Sequence, residues 1–226
     1  MVQNKSGGPR TPSRPPARPR GRPPAYDREE ALDRARDLFW TQGFSATSLD
    51  ELSAATKMNR PSLYGAFGDK RALYHATLER YRRQVGETLI EIFKSDTPLR
   101  DTLNAVYRHA LDIYFPKDDR PRGCFIVSIG VPESRDDPQA QDIVASAMRG
   151  FDGLFEARFR MAVKDGELPA GTDCAMLARL ASSVVHFLSI RSRSGERREA
   201  LARYAAFAVD QICSPGAKTD AEPADP

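Results

Sequence analysis

From Asp27 onward the apolar residues recur at helical spacing. Leu32, Ala35, Leu38 and Phe39 fall on one face of a first helix. Asp27 followed by Glu30 has the spacing of a capping box at its start. Gly43 suits the backward-curling residue after its end, with Phe44 folding back onto the helix. Ser48 and Glu51 repeat the capping-box spacing, and Leu49, Leu52 and Ala55 form the buried side of a short second helix ending near Thr56. Lys57-Met58-Asn59 is a tight connection. Pro61 belongs in the first turn of a helix, where its missing N–H leaves no bond unmade, so a third, very short helix runs from Arg60 to Ala66. Gly68-Asp69 breaks and caps again. Tyr74, Leu78, Tyr81, Val85, Leu89 and Ile92 then keep one stripe to Lys94, a rod of about 37 Å at 1.5 Å per residue.

The rhythm continues. Pro98 to Tyr114 reads as a helix, and 115–122 as a polar loop. The run Cys124-Phe125-Ile126-Val127-Ser128-Ile129 fits either a short buried helix or a strand, and periodicity does not separate them. Gln139 to Lys164 is a long helix carrying Val144, Met148, Phe151, Phe155 and Phe159 and ending at Gly166. Cys174 to Arg193 and Glu196 to Cys213 are two more, joined at Gly195. No internal repeat and no strand pattern is found, so the expected fold class is all-α. It has an N-terminal three-helix unit with a helix-turn-helix and a larger helical domain behind it.

Charge adds an asymmetry. The net charge is +3. Residues 1–26 hold Lys5, Arg10, Arg14, Arg18, Arg20 and Arg22 and no acid, hence +6, which leaves −3 for the other 200 residues (28 basic against 31 acidic). With seven of the 17 prolines and few apolar groups, 1–26 is expected to be a disordered basic arm, and 214–226 a flexible tail. A hydrophobic share of 40% allows a sizeable core, and 29% charged residues suit a soluble helical protein. No apolar run approaches the roughly 18 residues of a membrane span, and the Arg/Pro-rich start is not a secretory signal. The expectation is a cytoplasmic protein without a membrane partner. Three scattered cysteines indicate neither a disulfide framework nor a zinc knuckle. The histidines, His75, His109 and His186, lie on separate segments, and no Ser/His/Asp set, metal spacing or glycine-rich phosphate loop is present. No catalytic residue, metal or cofactor is therefore assigned, and an enzyme is not expected.

Sequence becomes specific between Asp27 and Tyr81. Two short helices on a tight turn behind a longer one make a helix-turn-helix, whose second helix enters the major groove of DNA. Gly43-Phe44, Thr47 to Leu52, Ala55 and above all Pro61-Ser62-Leu63-Tyr64-Gly65-Ala66-Phe67-Gly68-Asp69-Lys70-Arg71-Ala72-Leu73 carry a resemblance. Over about 50 residues the chain resembles the TetR/AcrR family of regulators; the rest is similar in length and helical pattern only. The domain boundaries that follow are 27–72 for the DNA unit and 73–213 for an effector-binding and dimerisation domain. Arg60 opens the recognition helix with a donor fork suited to guanine O6 and N7. Lys57 and Asn59 lie in the turn before it, and Ser62 offers a hydroxyl on the same side. Gly65 bares the helix surface for close approach. The Tyr64 hydroxyl suits a phosphate or, alternatively, the ring packs on the first helix. Thr47, Ser48 and Lys70 stand at helix starts, where anions are favoured. The three-helix unit holds six basic and eight acidic residues, so placement and not bulk charge must make its binding face. Arg20-Gly21-Arg22-Pro23 looks like an AT-hook core, whose arginines enter a narrow minor groove.

The resemblance implies a homodimer, an operator in double-stranded DNA, a small-molecule effector and an apolar cavity in the larger domain. The last two helices would pair with the partner subunit, through Leu177, Leu180, Val184 and Leu188 on one and Leu201, Tyr204, Ala208 and Ile212 on the other. Tyr107, His109, Cys124, Phe125, Met148, Phe151, Phe155 and His186 are the candidate pocket residues. Cys124, following Arg122-Gly123 at a loop-to-helix junction, reads two ways: a thiol activated by a helix N-terminus and nearby arginines, or a buried inert one. The principal reading is a repressor released by its effector. The alternatives are a redox or electrophile sensor acting through Cys124, and a non-specific architectural protein using its basic arm.

Overall fold

The computed structural model describes residues 26–117 and 120–214. Its helices are α1 (Arg28–Gln42), α2 (Leu49–Thr56), α3 (Arg60–Phe67), α4 (Lys70–Lys94), α5 (Leu99–Tyr114), α6 (Val131–Glu133), α7 (Pro138–Lys164), α8 (Cys174–Arg193) and α9 (Arg198–Cys213), with no strand among the described residues. The basic arm up to residue 25, with Arg20 and Arg22, and the tail from 215 lie outside the described residues.

Local chemistry explains most boundaries. The Asp27 carboxylate accepts the Glu29 and Glu30 N–H groups at 2.8 and 3.2 Å. The expected return contact from Glu30 is not made; Glu30 pairs with Arg34 one turn on. Ser48 and Glu51 do form a reciprocal capping box, with Glu51 N to Ser48 Oγ at 3.2 Å and Ser48 N to Glu51 Oε2 at 2.8 Å. The hydrogen bonds from Ser48 hold the Glu51 carboxyl below its ordinary pKa. Asn59 caps α3 by accepting from Ser62 N, and Asp69 caps α4 by accepting from Ala72 N. Lys57, at φ +57°, supplies the left-handed residue that turns the chain between α2 and α3.

Two apolar cores share α4. The first joins Phe39 and Trp40 of α1, Leu52 of α2, Leu63 of α3 and Tyr74 and Tyr81 of α4 to Phe125, Ile129 and Ile143. The second joins Phe93 at the far end of α4 to Leu103, Phe155, Phe159, Leu188 and Leu201. Each large side chain so buried contributes about 1.5–3 kcal/mol. Because α4 serves both cores, the DNA unit and the larger domain do not part cleanly near residue 72. Trp40 reinforces the joint: its ring packs on Tyr81 and Phe125 at 5.2 and 5.3 Å, and its Nε1 donates to the Arg122 carbonyl at 3.1 Å.

A second tie is ionic. Asp137, buried at the start of α7, accepts from His75 Nε2 at 2.7 Å and Arg71 Nη1 at 2.9 Å, and its other oxygen caps α7 through Ala140 N at 3.1 Å. Both partners stand one turn apart on α4, immediately behind α3.

The ambiguous run from Cys124 is neither strand nor regular helix. Ile126–Gly130 forms a π-helical turn in which Val131 N–H reaches back to the Ile126 carbonyl. It continues through α6 and a 3-10 turn at Ser134–Asp136. Pro132 accounts for the shift in register, since it has no N–H with which to continue the i to i−4 ladder. Gly123 just before it has φ +67°, and a Cβ there would sit 2.7 Å from the Ser189 carbonyl oxygen. Only glycine lets this loop cross α8 so closely. The last helix begins at Arg198, two residues later than expected. By length and mean hydropathy (1.2) α8 reaches what a membrane-spanning helix needs, which was not expected from the apolar runs. Its apolar residues are divided between the second core and an exposed face.

Candidate nucleic-acid interface and cavity

Three helices bring the expected DNA residues to one end of the molecule. On α3, Arg60 and Gly65 are exposed, Ser62 is half-buried, and Tyr64 stands 47% exposed. Lys57 and Asn59 are exposed in the preceding turn. A Cβ built at Gly65 meets nothing within 4 Å, so the glycine is not required by packing within the chain. Arg60 is not idle: its Nε and Nη2 donate to Asp50 Oδ1 of α2 at 2.9 and 2.5 Å. The hydrogen bonds it donates to Asp50 raise its pKa further above an already high value. Ser48 is exposed but its hydroxyl is shared with Glu51. Lys70 lies half-buried with its ammonium 4.5 Å above the Phe44 ring, and burial lowers its pKa. One expectation fails: Thr47 is 1% exposed and its hydroxyl donates to the Gly43 carbonyl at 2.6 Å, so it closes the α1–α2 corner and offers nothing to a phosphate.

Behind this unit lies a cavity of about 280 Å³ between α4, α5, α7 and the π-helical turn. His109, Cys124, Met148, Phe151 and His186 line it. Three other expected pocket residues do not. Tyr107 is buried deeper, with its hydroxyl donating to the Ala181 carbonyl at 3.1 Å. Phe125 faces Trp40 and Tyr81 on the opposite side of the turn, since its neighbour Cys124 already takes the cavity side. Phe155 is locked among Phe93, Phe151 and Phe159 in the second core. Burial lowers the pKa of both cavity histidines, against opposing pulls from Asp112 on His109 and Asp152 on His186. The Nε2 of His109 is buried and has no hydrogen-bond partner among the described residues.

Of the two readings of Cys124, its surroundings favour the buried, less reactive one. Burial raises its pKa, outweighing the Tyr81 and Tyr114 hydroxyls that hydrogen-bond its sulfur. Arg122 does not face the thiol: its guanidinium lies 4.0 Å over the Trp40 ring and reaches Asp37 at 3.3 Å.

A third surface is apolar and open. Met176, Leu180 and Ile190 of α8 and Phe207 of α9 are 57–59% exposed. Of the residues expected at a dimer seam, Leu180 and Tyr204 face outward, while Val184, Leu188, Leu201 and Ile212 are buried within the chain.

Comparison with known proteins decides the family. Residues 31–77 match the model described as bacterial regulatory proteins, tetR family, and residues 99–208 match a tetracyclin repressor-like C-terminal domain. The chain is 32% identical to the HTH-type transcriptional repressor ComR of Escherichia coli K12 over 187 residues, 82% of this chain and 89% of that protein. It belongs to the TetR family. It is also 30% identical to the repressor BdcR of the same organism, over 85% of this chain and 92% of that one. A cysteine mutant of the TetR family regulator CifR, solved with 26-base-pair operator DNA, superposes with a TM-score of 0.75 at 32% identity, covering 84% of this chain and 99% of that one. The first TetR model spans α1 to the start of α4, and the second runs from α5 into α9. The chain is a transcriptional regulator of the helix-turn-helix type.

Sequence reasoning missed several groups around these sites. Asp50 was unremarked because its partner lies ten residues on, across the turn. Tyr81, Val85 and Leu89 were read as one core stripe with the rest of α4, yet they form a cavity wall. The stripe holds a clue in hindsight, since it is too long to face a single core. Arg71, His75 and Asp137 left no local signal, being 62 and 66 positions apart.

Proposed function

We propose that two copies of this chain form a repressor that holds operator DNA through paired α3 helices and releases it when a small molecule occupies the cavity. The observation that carries this reading is the open surface of α3, where Arg60, Tyr64 and a sterically free Gly65 are exposed on a helix capped by Asn59. Arg60 supplies base-edge recognition, Tyr64, Lys57 and Lys70 supply phosphate contacts, and the caps at Ser48 and Asn59 orient helix N-termini toward the backbone. Arg20 and Arg22 extend the grip into an adjacent minor groove.

Dimerisation uses the open face of α8 and α9, where Met176, Leu180, Ile190 and Phe207 would otherwise meet water. Recognition helices must lie about 34–36 Å apart to meet successive major grooves. α4 carries the signal: its first turns hold α3 and its middle, from Tyr81 to Leu89, forms a wall of the cavity. A ligand that prefers a different spacing of α4 and α7 shifts the population away from the DNA-competent form. The Asp137 cluster ties those two helices at the end nearest α3. Operator binding by the full-length protein, measured with and without an added effector, tests the reading. Loss of binding in Arg60→Ala and Tyr64→Phe supports it, and unaltered binding in both refutes it.

A second reading of the same cavity rests on Cys124, whose sulfur lies on the wall with two tyrosine hydroxyls around it. An electrophile delivered there would be sensed by alkylation of the thiol. Cys124→Ser separates the two readings: it abolishes the response to an electrophile and leaves a response to a reversible ligand.

A further inference from the structure

We infer that the cavity takes a small, neutral, largely apolar molecule carrying one hydrogen-bonding group, and that His109 reads that group. The inference rests on the effector reading above and gives its chemistry. Size comes first. The cavity, about 280 Å³, has roughly twice the volume of an apolar protein cavity that holds one benzene, which suits about eleven or twelve non-hydrogen atoms, or two fused rings. Most of its wall is apolar, with Val85 and Leu89 of α4 facing Met148 and Phe151 of α7.

Charge narrows the class. Arg82 is the one lining side chain with a fixed charge, and its Nε and Nη2 are both given to Glu79 at 2.9 and 2.8 Å. No carboxylate lines the space, so a cation finds no partner. An anion must compete with Glu79 for the half-exposed Arg82, and burial disfavours the charged form of each histidine. An unpaired buried charge is far costlier than an apolar pocket can offset. A neutral ligand remains.

The anchor is set by what is already satisfied. Tyr81 donates to Cys124 Sγ at 3.5 Å, and Tyr114 also bonds that sulfur, so these polar groups answer one another. His109 lines the cavity; its Nε2 is unanswered among the described residues and closed to solvent as the ring stands, so a ligand reaches it once the ring turns. A neutral imidazole donates or accepts through Nε2 according to its tautomer, so it matches a carbonyl or a hydroxyl equally.

Titration calorimetry on the full-length dimer with naphthalene, 1-naphthol and 1-naphthoate tests this. We expect one 1-naphthol per subunit, bound about tenfold or more tightly than naphthalene, as one added buried hydrogen bond allows, with 1-naphthoate weakest. His109→Phe keeps the ring but removes the polar atom, and should bring 1-naphthol down to the affinity of naphthalene. His109→Gln, which keeps a polar group, should restore part of the preference. Binding of 1-naphthoate as tight as that of 1-naphthol, retention of the preference in His109→Phe, or no binding by any probe would overturn the inference. Should His109→Phe fail to fold, judged by its own melting curve, the order of the three probes on the unaltered protein still decides. Operator release is measured separately. His109-dependent binding without release supports the pocket chemistry and removes the effector reading alone.

Discussion

Gly65 offers a way to separate binding from folding. Glycine within a helix is less stable than alanine by about 0.5–1 kcal/mol, because the unfolded chain loses more freedom. At Gly65 nothing in the chain recovers that loss, since a Cβ there meets open space. Gly65→Ala should therefore raise the stability of the free protein by about 0.5–1 kcal/mol. For a domain of this size that is a rise of about 1–4 °C in melting temperature. Gly65→Leu should not destabilise the free protein either, since leucine is nearly as good a helix former as alanine and the space is open. Bound to DNA the two substitutions diverge. If α3 lies in the major groove with Gly65 toward the duplex, a leucine side chain occupies space the DNA must fill, and operator affinity should fall by at least about tenfold, or 1.4 kcal/mol. Thermal unfolding and fluorescence anisotropy on an operator selected from random duplexes read the two effects independently. Destabilisation by Gly65→Ala, or full operator affinity in Gly65→Leu, would refute the reasoning.

Other substitutions reach the remaining claims. Asp50→Asn frees Arg60 from its exposed pair, which water screens to a weak constraint. Affinity for random DNA should rise up to about fivefold and preference for the operator should fall, as read by competition binding at fixed salt. Gly123→Ala forces a left-handed residue, costing about 1–2 kcal/mol, and drives a methyl into the Ser189 carbonyl, a clash of about 1–3 kcal/mol; denaturant unfolding should show a loss of at least about 2 kcal/mol. Phe207→Glu or Leu180→Glu should give monomers by light scattering, and operator affinity should fall with the dimer. Asp137 carries a pH dependence. Burial pushes its carboxyl up, but the Ala140 N–H, His75 and Arg71 outweigh this and hold it below the ordinary range. Its stabilisation is therefore complete above about pH 4, the ordinary range of a free aspartate, and disappears as pH falls through the lower folded value. Unfolding free energy should fall more steeply below pH 4 in the natural protein than in Asp137→Asn. Equal slopes would argue against the cluster.

Local chemistry was legible wherever its parts lie close in sequence. Ser48 and Glu51, Pro61 in the first turn of α3, and the Gly68-Asp69 break each specify a boundary within four residues, and the helices begin and end near them. The α4 stripe was legible as a helix but not as a wall shared by two cores and a cavity, because periodicity reports which face is apolar and not what it meets. The run from Cys124 was ambiguous for a physical reason: Pro132 removes one donor and shifts a single turn to π geometry, which neither a strand nor a helix template describes. Thr47 and Phe125 show the same limit at the site. Both have the right chemistry for the assigned role, yet a hydrogen bond to Gly43 turns one inward and the Trp40 ring claims the other. The Asp137 cluster and the Asp50–Arg60 pair depend on tertiary placement alone.

The decisive measurement is a titration of the selected operator, and of a random duplex of equal length, with the natural protein and with Arg60→Ala at one salt concentration. Loss of a bidentate contact to a base in each half-site should weaken operator binding by about 1–3 kcal/mol per site, while random-duplex binding changes little. If Arg60→Ala binds the operator as the natural protein does, α3 is not the helix that reads DNA.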